Sequence, residues 1–187
     1  GVPFDIGKWY GVNGEFVYSA CNCGSYDKTL SHVRGYGFVE NKIKELLVQH
    51  IKKAIADGYE TFITGMARGF DMWAADIVLE EKMYNPNIHL ICALPMDNFE
   101  ARWSIKEQAH YHDILEAADF IKTVSDYYYS GCFQARNEFM VNHSTRVIAA
   151  FNGTPGGTKN TINYAKRNNV EVINIFKGVR LDNNARY

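Results

Sequence analysis

Three short loops of small residues carry most of the chemistry on offer. They are Asn22-Cys23-Gly24-Ser25, Gly65-Met66-Ala67-Arg68-Gly69 and Gly153-Thr154-Pro155-Gly156-Gly157-Thr158. Glycine lets a backbone approach a phosphate closely and turn its amides inward. In the third loop proline fixes one φ, two glycines follow, and Thr158 offers a hydroxyl just before a helix. Arg68, Asp71 and Trp73 gather around the second loop, and Arg102-Trp103 and Arg136-Asn137 stand early in two further helices. The planar fork of arginine suits phosphate or carboxylate. A pocket for a phosphorylated ligand is therefore expected. From the first loop it takes Cys23, Gly24 and Ser25, and from the second Gly65, Met66, Arg68 and Gly69 with Asp71 and Trp73 behind them. Arg102, Arg136 and Asn137 join them, and the third loop adds Gly153, Pro155, Gly156, Gly157 and Thr158.

Asp71 is the leading catalytic candidate and Glu100 the second, although a carboxylate in a first helical turn also serves simply to oppose the helix dipole. The loops match neither Gly-x-Gly-x-x-Gly nor the Walker pattern ending in Gly-Lys-Ser/Thr, which argues against a dinucleotide dehydrogenase and a P-loop NTPase. His110, His112 and His143 show no catalytic partner. Cys21 and Cys23 lack a second ligand pair at metal spacing, so neither a metal nor a cofactor is expected.

Such loops work only if the fold brings them to one edge. Apolar residues at intervals of three and four predict helices over Phe38–Asp57, Phe70–Tyr84, Glu100–Ala118, Phe133–His143 and Lys159–Asn168. Between them lie apolar strands at Thr61–Thr64, Ile88–Leu94, Phe120–Val124, Val147–Phe151 and Val170–Phe176. Asn13-Gly14 between aromatic-rich runs predicts an N-terminal hairpin whose second arm is Phe16–Cys21. Strands alternating with helices, and apolar on both faces, define a doubly wound, mostly parallel α/β sheet of Rossmann-like type. The expected organisation is an arm over residues 1–14, one domain over 15–178 and a polar tail over 179–187. In such a sheet ligands bind at the C-terminal ends of the strands.

The 187 residues suit one domain, and 47% hydrophobic against 22% charged residues excludes disordered and fibrous classes. Twenty basic against 21 acidic residues leave a net charge of −1. That balance argues against a nucleic-acid partner held by bulk positive field. No apolar run approaches the ~20 residues of a membrane span. Four cysteines without a disulfide pattern fit reduced thiols and a cytoplasmic location.

Several segments in order, Phe62 to Asp76, Ala101-Arg102-Trp103, Arg136 to Val141 and Gly153 to Thr158, resemble the YpsA-like branch of the SLOG superfamily. That superfamily also contains the LOG phosphoribohydrolases and the DNA-processing Smf/DprA proteins. The resemblance runs from about Cys21 to Ile175 and implies a Rossmann-like fold with a pocket for a nucleotide-derived ligand, of ADP-ribose or NAD-derived type. The departures are informative. The branch usually carries a Thr-Gly-His-Arg-type first loop, where this chain reads Asn22-Cys23-Gly24-Ser25-Tyr26-Asp27. After Met140-Val141 it has Asn142-His143-Ser144-Thr145 in place of acidic residues flanking a serine. LOG hydrolases follow Pro-Gly-Gly with Gly-Thr and a catalytic glutamate, whereas Thr158-Lys159-Asn160-Thr161-Ile162-Asn163 contains no carboxylate. Cleaving an N-glycosidic bond commonly needs one.

The leading expectation is thus a small-molecule nucleotide pocket that senses or sequesters. A phosphoribohydrolase using Asp71 comes second. An interaction protein with a degenerate pocket comes third, supported by 12 Tyr, 11 Phe and 3 Trp. Tyr127-Tyr128-Tyr129 is expected as a packed loop or sheet edge, and a homo-oligomer as the default state of such a domain.

Overall fold

The computed structural model describes residues 16–20 and 36–178. Six strands, β1 (Phe16–Ala20), β2 (Thr61–Thr64), β3 (His89–Leu94), β4 (Phe120–Thr123), β5 (Arg146–Ala149) and β6 (Glu171–Asn174), form one sheet in the order β4-β3-β2-β1-β5-β6. Their pairings are all parallel. Helices α1 (Tyr36–Ala56), α2 (Phe70–Tyr84), α3 (Ile105–Ala117), α4 (Cys132–Asn142) and α5 (Gly157–Arg167) make the crossovers. A 3-10 turn, Ile175–Gly178, follows β6.

Period-two alternation sends neighbouring strand residues to opposite faces, and both faces are covered. Phe62, Leu90, Cys92 and Ile148 pack on one side with Leu47 and Ile51 of α1, Phe70 of α2 and Tyr111 of α3. Ile63, Ile91, Ala93, Val147 and Ala149 pack on the other with Met140 of α4 and Ile162 of α5. Burial in that core raises the Cys92 thiol far above its ordinary range, with the Asp119 charge adding to the rise, so it stays neutral.

The doubly wound parallel sheet agrees with the expected fold class. β1 is bonded on one side to β2 and on the other to β5, both parallel. The expected 1–14 arm with the first strand of its hairpin, and the 179–187 tail, lie outside the described residues. The largest boundary difference is at α3. The helix begins at Ile105, because Ser104 accepts the Glu107 amide while the Glu107 carboxylate returns to the Ser104 amide. That reciprocal capping box fixes the start, and Glu100–Trp103 is a turn. Among the described residues no helix is long and apolar enough to cross a membrane.

Candidate functional site at the strand C-terminal edge

The chain runs from β1 outward to β4, then returns to place β5 against the other side of β1. That reversal lies at the C-terminal ends of β1 and β5, the position where doubly wound sheets take ligands. Cys23, Gly24 and Ser25, expected to line it after β1, lie outside the described residues.

The β2–α2 loop is pinned from within. The Thr64 hydroxyl donates to the Asp71 carbonyl at 2.9 Å, and Asp71 Oδ2 accepts the Ala67 amide at 3.2 Å. Asp71 is buried, as is Met66, whose backbone sits at φ 58°. A left-handed non-glycine residue persists only where its surroundings impose it, and here the core holds the whole Met66 side chain. The thioether therefore belongs to the core and not to a pocket wall.

Arg136 crosses from α4 to the same loop. Its Nη1 donates to the Gly65 carbonyl and its Nε to Asn137 Oδ1 at 3.0 Å, with both side chains buried. A Cβ on Gly65 would stand 2.9 Å from Asp71 Oδ2 and 3.0 Å from Arg136 Cζ and Nη1. Only glycine lets the carboxylate and the guanidinium converge on this point.

The helix starts at this edge fall into two kinds. α3 carries its Ser104–Glu107 box, whereas α2, α4 and α5 open on Gly69, Gly131 and Gly156 with no side-chain cap. A glycine at the cap brings no side-chain acceptor of its own, and a helix start aligned with its dipole favours an anion. Gly156 has φ 152°, a value L-residues rarely adopt, so the turn into α5 requires glycine there. In the same loop Thr154 bonds Asn152 Oδ1 through both its amide (3.0 Å) and its hydroxyl (2.8 Å). Gly153 and Pro155 are exposed, Gly157 is half-buried and Thr158 is buried.

An aromatic seam rims the site. Arg68 lies 5.5 Å over the Trp103 ring and 3.6 Å from Glu107 Oε1. Phe99 meets Trp103 at 5.3 Å, Tyr111 at 5.4 Å and Phe133 at 6.5 Å, each edge to face, and Arg136 stands 5.7 Å over Phe133. Arg102 is exposed and makes no ion pair among the described residues. The Glu107 carboxyl is held below its ordinary range by the Ser104 hydroxyl and amide, with Arg68 contributing. Burial, and then the Glu100 charge, push the Tyr111 phenol far up.

Trp73 does not join this rim; it is half-buried against the core with Lys44 Nζ of α1 4.3 Å over its ring. Glu100 is buried, 3.5 Å from His112 Nε2. His110 pairs with Asp76 at 2.8 Å, and His143 Nδ1 donates to the Phe139 carbonyl at 2.7 Å. Among the described residues no cluster of His, Cys, Asp or Glu has the makings of a metal site. Phe99 and Phe133 were not apparent from sequence as rim residues, because only the fold brings them beside Trp103 and Arg136.

A parallel, doubly wound sheet with glycine-opened helices over its C-terminal edge defines a Rossmann-like domain of the kind seen in DNA processing protein A. The DprA of Streptococcus pneumoniae aligns with a TM-score of 0.53 at 18% identity, over 84% of this chain and 49% of that one. A DprA of Helicobacter pylori, described for its single-stranded DNA binding mode, aligns at 0.54 and 16% identity, over 85% of this chain and 64% of that one. Residues 39–176 match the model of the YspA SLOG family, and the chain belongs to that family. A UPF0398 protein of Halalkalibacterium halodurans is 33% identical over 128 residues, 67% of this chain and 68% of the relative. The SPbeta prophage-derived protein YoqJ of Bacillus subtilis is 34% identical over 139 residues, 67% of this chain and 81% of YoqJ.

One expectation is corrected by these likenesses. Near-neutral composition was read as an argument against a nucleic-acid partner, yet a protein of the same fold binds single-stranded DNA. Net charge sums over the whole surface and does not exclude a local cationic edge; Arg68 and Arg102 are exposed at this one.

Proposed function

We propose that the C-terminal edge of the sheet binds a phosphorylated, nucleotide-derived ligand, of nucleoside monophosphate or ADP-ribose type, and holds it without cleavage. The protein would then act as a sensor or a sink for that ligand. The observation carrying this reading is the convergence of three helix starts without side-chain caps with the buried Arg136 guanidinium at one edge. Phosphate oxygens are what such an arrangement recognises. Cleavage is less well supported. Asp71 Oδ2 is engaged by the Ala67 amide and pressed against Gly65, which makes it a loop-positioning group. The segment after Pro155-Gly156-Gly157 brings no carboxylate.

The test is depletion and recovery. Purified protein is incubated with nucleoside monophosphates, NAD and ADP-ribose, and free ligand is measured by chromatography before and after heat denaturation. Depletion with intact recovery is the expected result. Release of a base or a ribose phosphate would establish a phosphoribohydrolase instead. A second reading, a segment of single-stranded nucleic acid at the same edge, is favoured by the H. pylori likeness and by the arginine-bearing aromatic rim. Adding a short oligonucleotide to the panel decides between a free ligand and a strand.

A further inference from the structure

The loop between β5 and α5 carries a reaction that needs no ligand. The chain holds two Asn-Gly pairs, Asn13-Gly14 and Asn152-Gly153, and the second lies in this loop. At such a pair the backbone nitrogen of the glycine can attack the asparagine side-chain carbon, because no Cβ on the second residue obstructs the approach. Asn152, Gly153 and Thr154 are all exposed, so water and hydroxide reach them. Nothing crowds Gly153: a Cβ there would find no atom within 4 Å.

The neighbouring residues do more than leave the pair open. Phe151, just before it, is clamped by β6. Its amide donates to Asn174 Oδ1 and its carbonyl accepts from Asn174 Nδ2, each at 2.9 Å. Just after the pair, the Thr154 amide and hydroxyl both donate to Asn152 Oδ1, at 3.0 and 2.8 Å. The bond from the amide folds the asparagine side chain back along its own backbone, as in an Asx turn, and brings Cγ towards the Gly153 nitrogen. Two donors on Oδ1 also draw electrons from Cγ. They stand where negative charge gathers once that carbon is attacked.

We propose that Asn152-Gly153 is a self-modifying site, at which the folded chain turns the Asn152 amide into a carboxylate with Thr154 as the donor to the oxyanion. Hydroxide takes the proton of the Gly153 amide, and that nitrogen forms a bond to Asn152 Cγ. Oδ1 carries the negative charge until the bond from Cγ to the side-chain nitrogen breaks. That nitrogen leaves as ammonia, taking a proton from water and restoring the hydroxide, and a five-membered imide remains. Water then opens the imide at either carbonyl, giving aspartate or isoaspartate. The sum consumes water and releases ammonia, and nothing is oxidised or reduced. Either product puts a negative charge in the loop that opens α5 at Gly156. For one consequence this rests on the nucleotide-binding reading above: the new charge repels the ligand's phosphate, so the chain loses affinity as it ages.

The experiment holds freshly purified full chain at physiological temperature and mildly alkaline pH. Digested aliquots are followed by mass spectrometry, with enzymatic methylation of isoaspartate as a second readout. Asn152 is expected to convert faster in the folded chain than in a synthetic peptide spanning residues 146–160. Thr154→Val keeps the amide donor and loses the hydroxyl. Its conversion should slow roughly fivefold in the folded chain, as loss of one ordinary hydrogen bond to a forming oxyanion implies, and be unchanged in the peptide. Thr154→Ser keeps the hydroxyl and should convert like the wild type, and circular dichroism checks both folds. A folded chain that converts no faster than the peptide, or a valine variant that keeps the wild-type rate, overturns the site. For the consequence, Asn152→Asp is compared with fresh wild type in AMP titrations. Affinity should fall roughly two- to fivefold, as one charge near a helix start implies. Equal affinity would overturn the loss with age and leave the chemistry standing. If fresh wild type binds no AMP, the nucleotide-binding reading falls, while the conversion rates still decide the site.

Discussion

At the N-terminal ends of the strands, charges are matched. Arg146 bonds Asp57 and Glu171, each at 2.7 Å, and stacks 4.6 Å over Tyr59. Asp119 gathers Lys82 at 2.7 Å, the Leu90 amide at 2.8 Å and His89 at 3.4 Å. At the C-terminal ends the balance differs. Arg136 donates to the neutral oxygens of Gly65 and Asn137, Arg102 stands exposed, and three helices start without a side-chain cap. Matched charges gain most of what they can gain from folding alone, so they need no ligand. The C-terminal edge is not without carboxylates, since Arg68 has Glu107 at 3.6 Å and Arg136 meets Asp71 across Gly65; what it offers an anion from outside is the exposed Arg102 and the glycine-opened helix starts. Substitutions at the two edges should therefore separate stability from binding.

Arg136 is the residue at which that separation breaks down, and the largest effect is expected there. Arg136→Leu removes a buried guanidinium, strands the Gly65 carbonyl and leaves Asp71 beside an apolar group. A loss of about 2–3 kcal/mol in urea unfolding is expected, together with loss of phosphate-bearing ligands. Arg136→Lys keeps the charge without the fork and should recover part of the stability but little of the affinity. If Arg136→Leu unfolded normally and still bound, the C-terminal edge would not be organised by this residue.

Asp119→Ala tests the opposite edge. It frees the Lys82 ammonium and the Leu90 amide, and a cost of about 2 kcal/mol is expected, with ligand affinity unchanged. Burial alone would raise the Asp119 carboxyl, but the Lys82 bond, the Leu90 amide and His89 outweigh it and hold it below 3.8. With the folded-state value depressed, this contribution is present above the unfolded value and is lost as the pH falls through the folded one. Wild type should therefore show an acid-side fall in stability that Asp119→Ala lacks. A parallel fall in the variant would assign it to other carboxylates.

How much of this was legible in the chain follows from the range of the contacts involved. Continuous apolar runs such as Leu90–Leu94 and Val147–Ala149 reveal strands covered on both faces, because burial on both sides leaves no polar alternate. The start of α3 was expected at Glu100 and lies at Ile105, yet Ser104 followed by Glu107 was a local capping signal within reach. Arg136 was visible as a cation early in a helix, but its burial depends on Gly65, 71 residues away in sequence. No local pattern carries that. Met66 was expected among the ligand-binding residues from its place in a glycine-bearing loop; its side chain is buried in the core. Trp73 faces α1 for a similar reason: which side of α2 meets the C-terminal edge is decided by tertiary packing. Tyr127 to Tyr129 were expected to pack, since aromatic residues usually do, and only the fold reveals them as exposed.

Ser104→Ala sharpens the contrast among the helix starts. The capped helix would lose the hydroxyl that accepts the Glu107 amide, at a cost of about 1 kcal/mol, read as a lowered midpoint in thermal unfolding. Affinity for phosphate-bearing ligands should not change, because α3 is the helix whose start is already occupied by its own side chains. A marked change in affinity would mean that ligand reaches α3 as well as its uncapped neighbours.

The smallest effect is expected at His50, half-buried on α1 toward the matched edge. Burial, then the nearby positive charges of Arg146 and Lys53, hold its imidazole below the ordinary 6.5. The folded state therefore prefers the neutral ring, while the unfolded chain takes up a proton as soon as the pH drops below that ordinary value. Stability contributed by the neutral ring is present above 6.5 and declines as the pH falls toward the lower folded value. His50→Gln should remove this slope and leave stability above neutrality nearly unchanged, in urea titrations at several pH values. Ligand affinity should be the same for the variant and the wild type across that interval, since Arg146 is already committed to Asp57 and Glu171 and has no route to the opposite edge. A pH-dependent affinity abolished by His50→Gln would mean that the two edges are coupled through α1, and the division of labour between them would have to be abandoned.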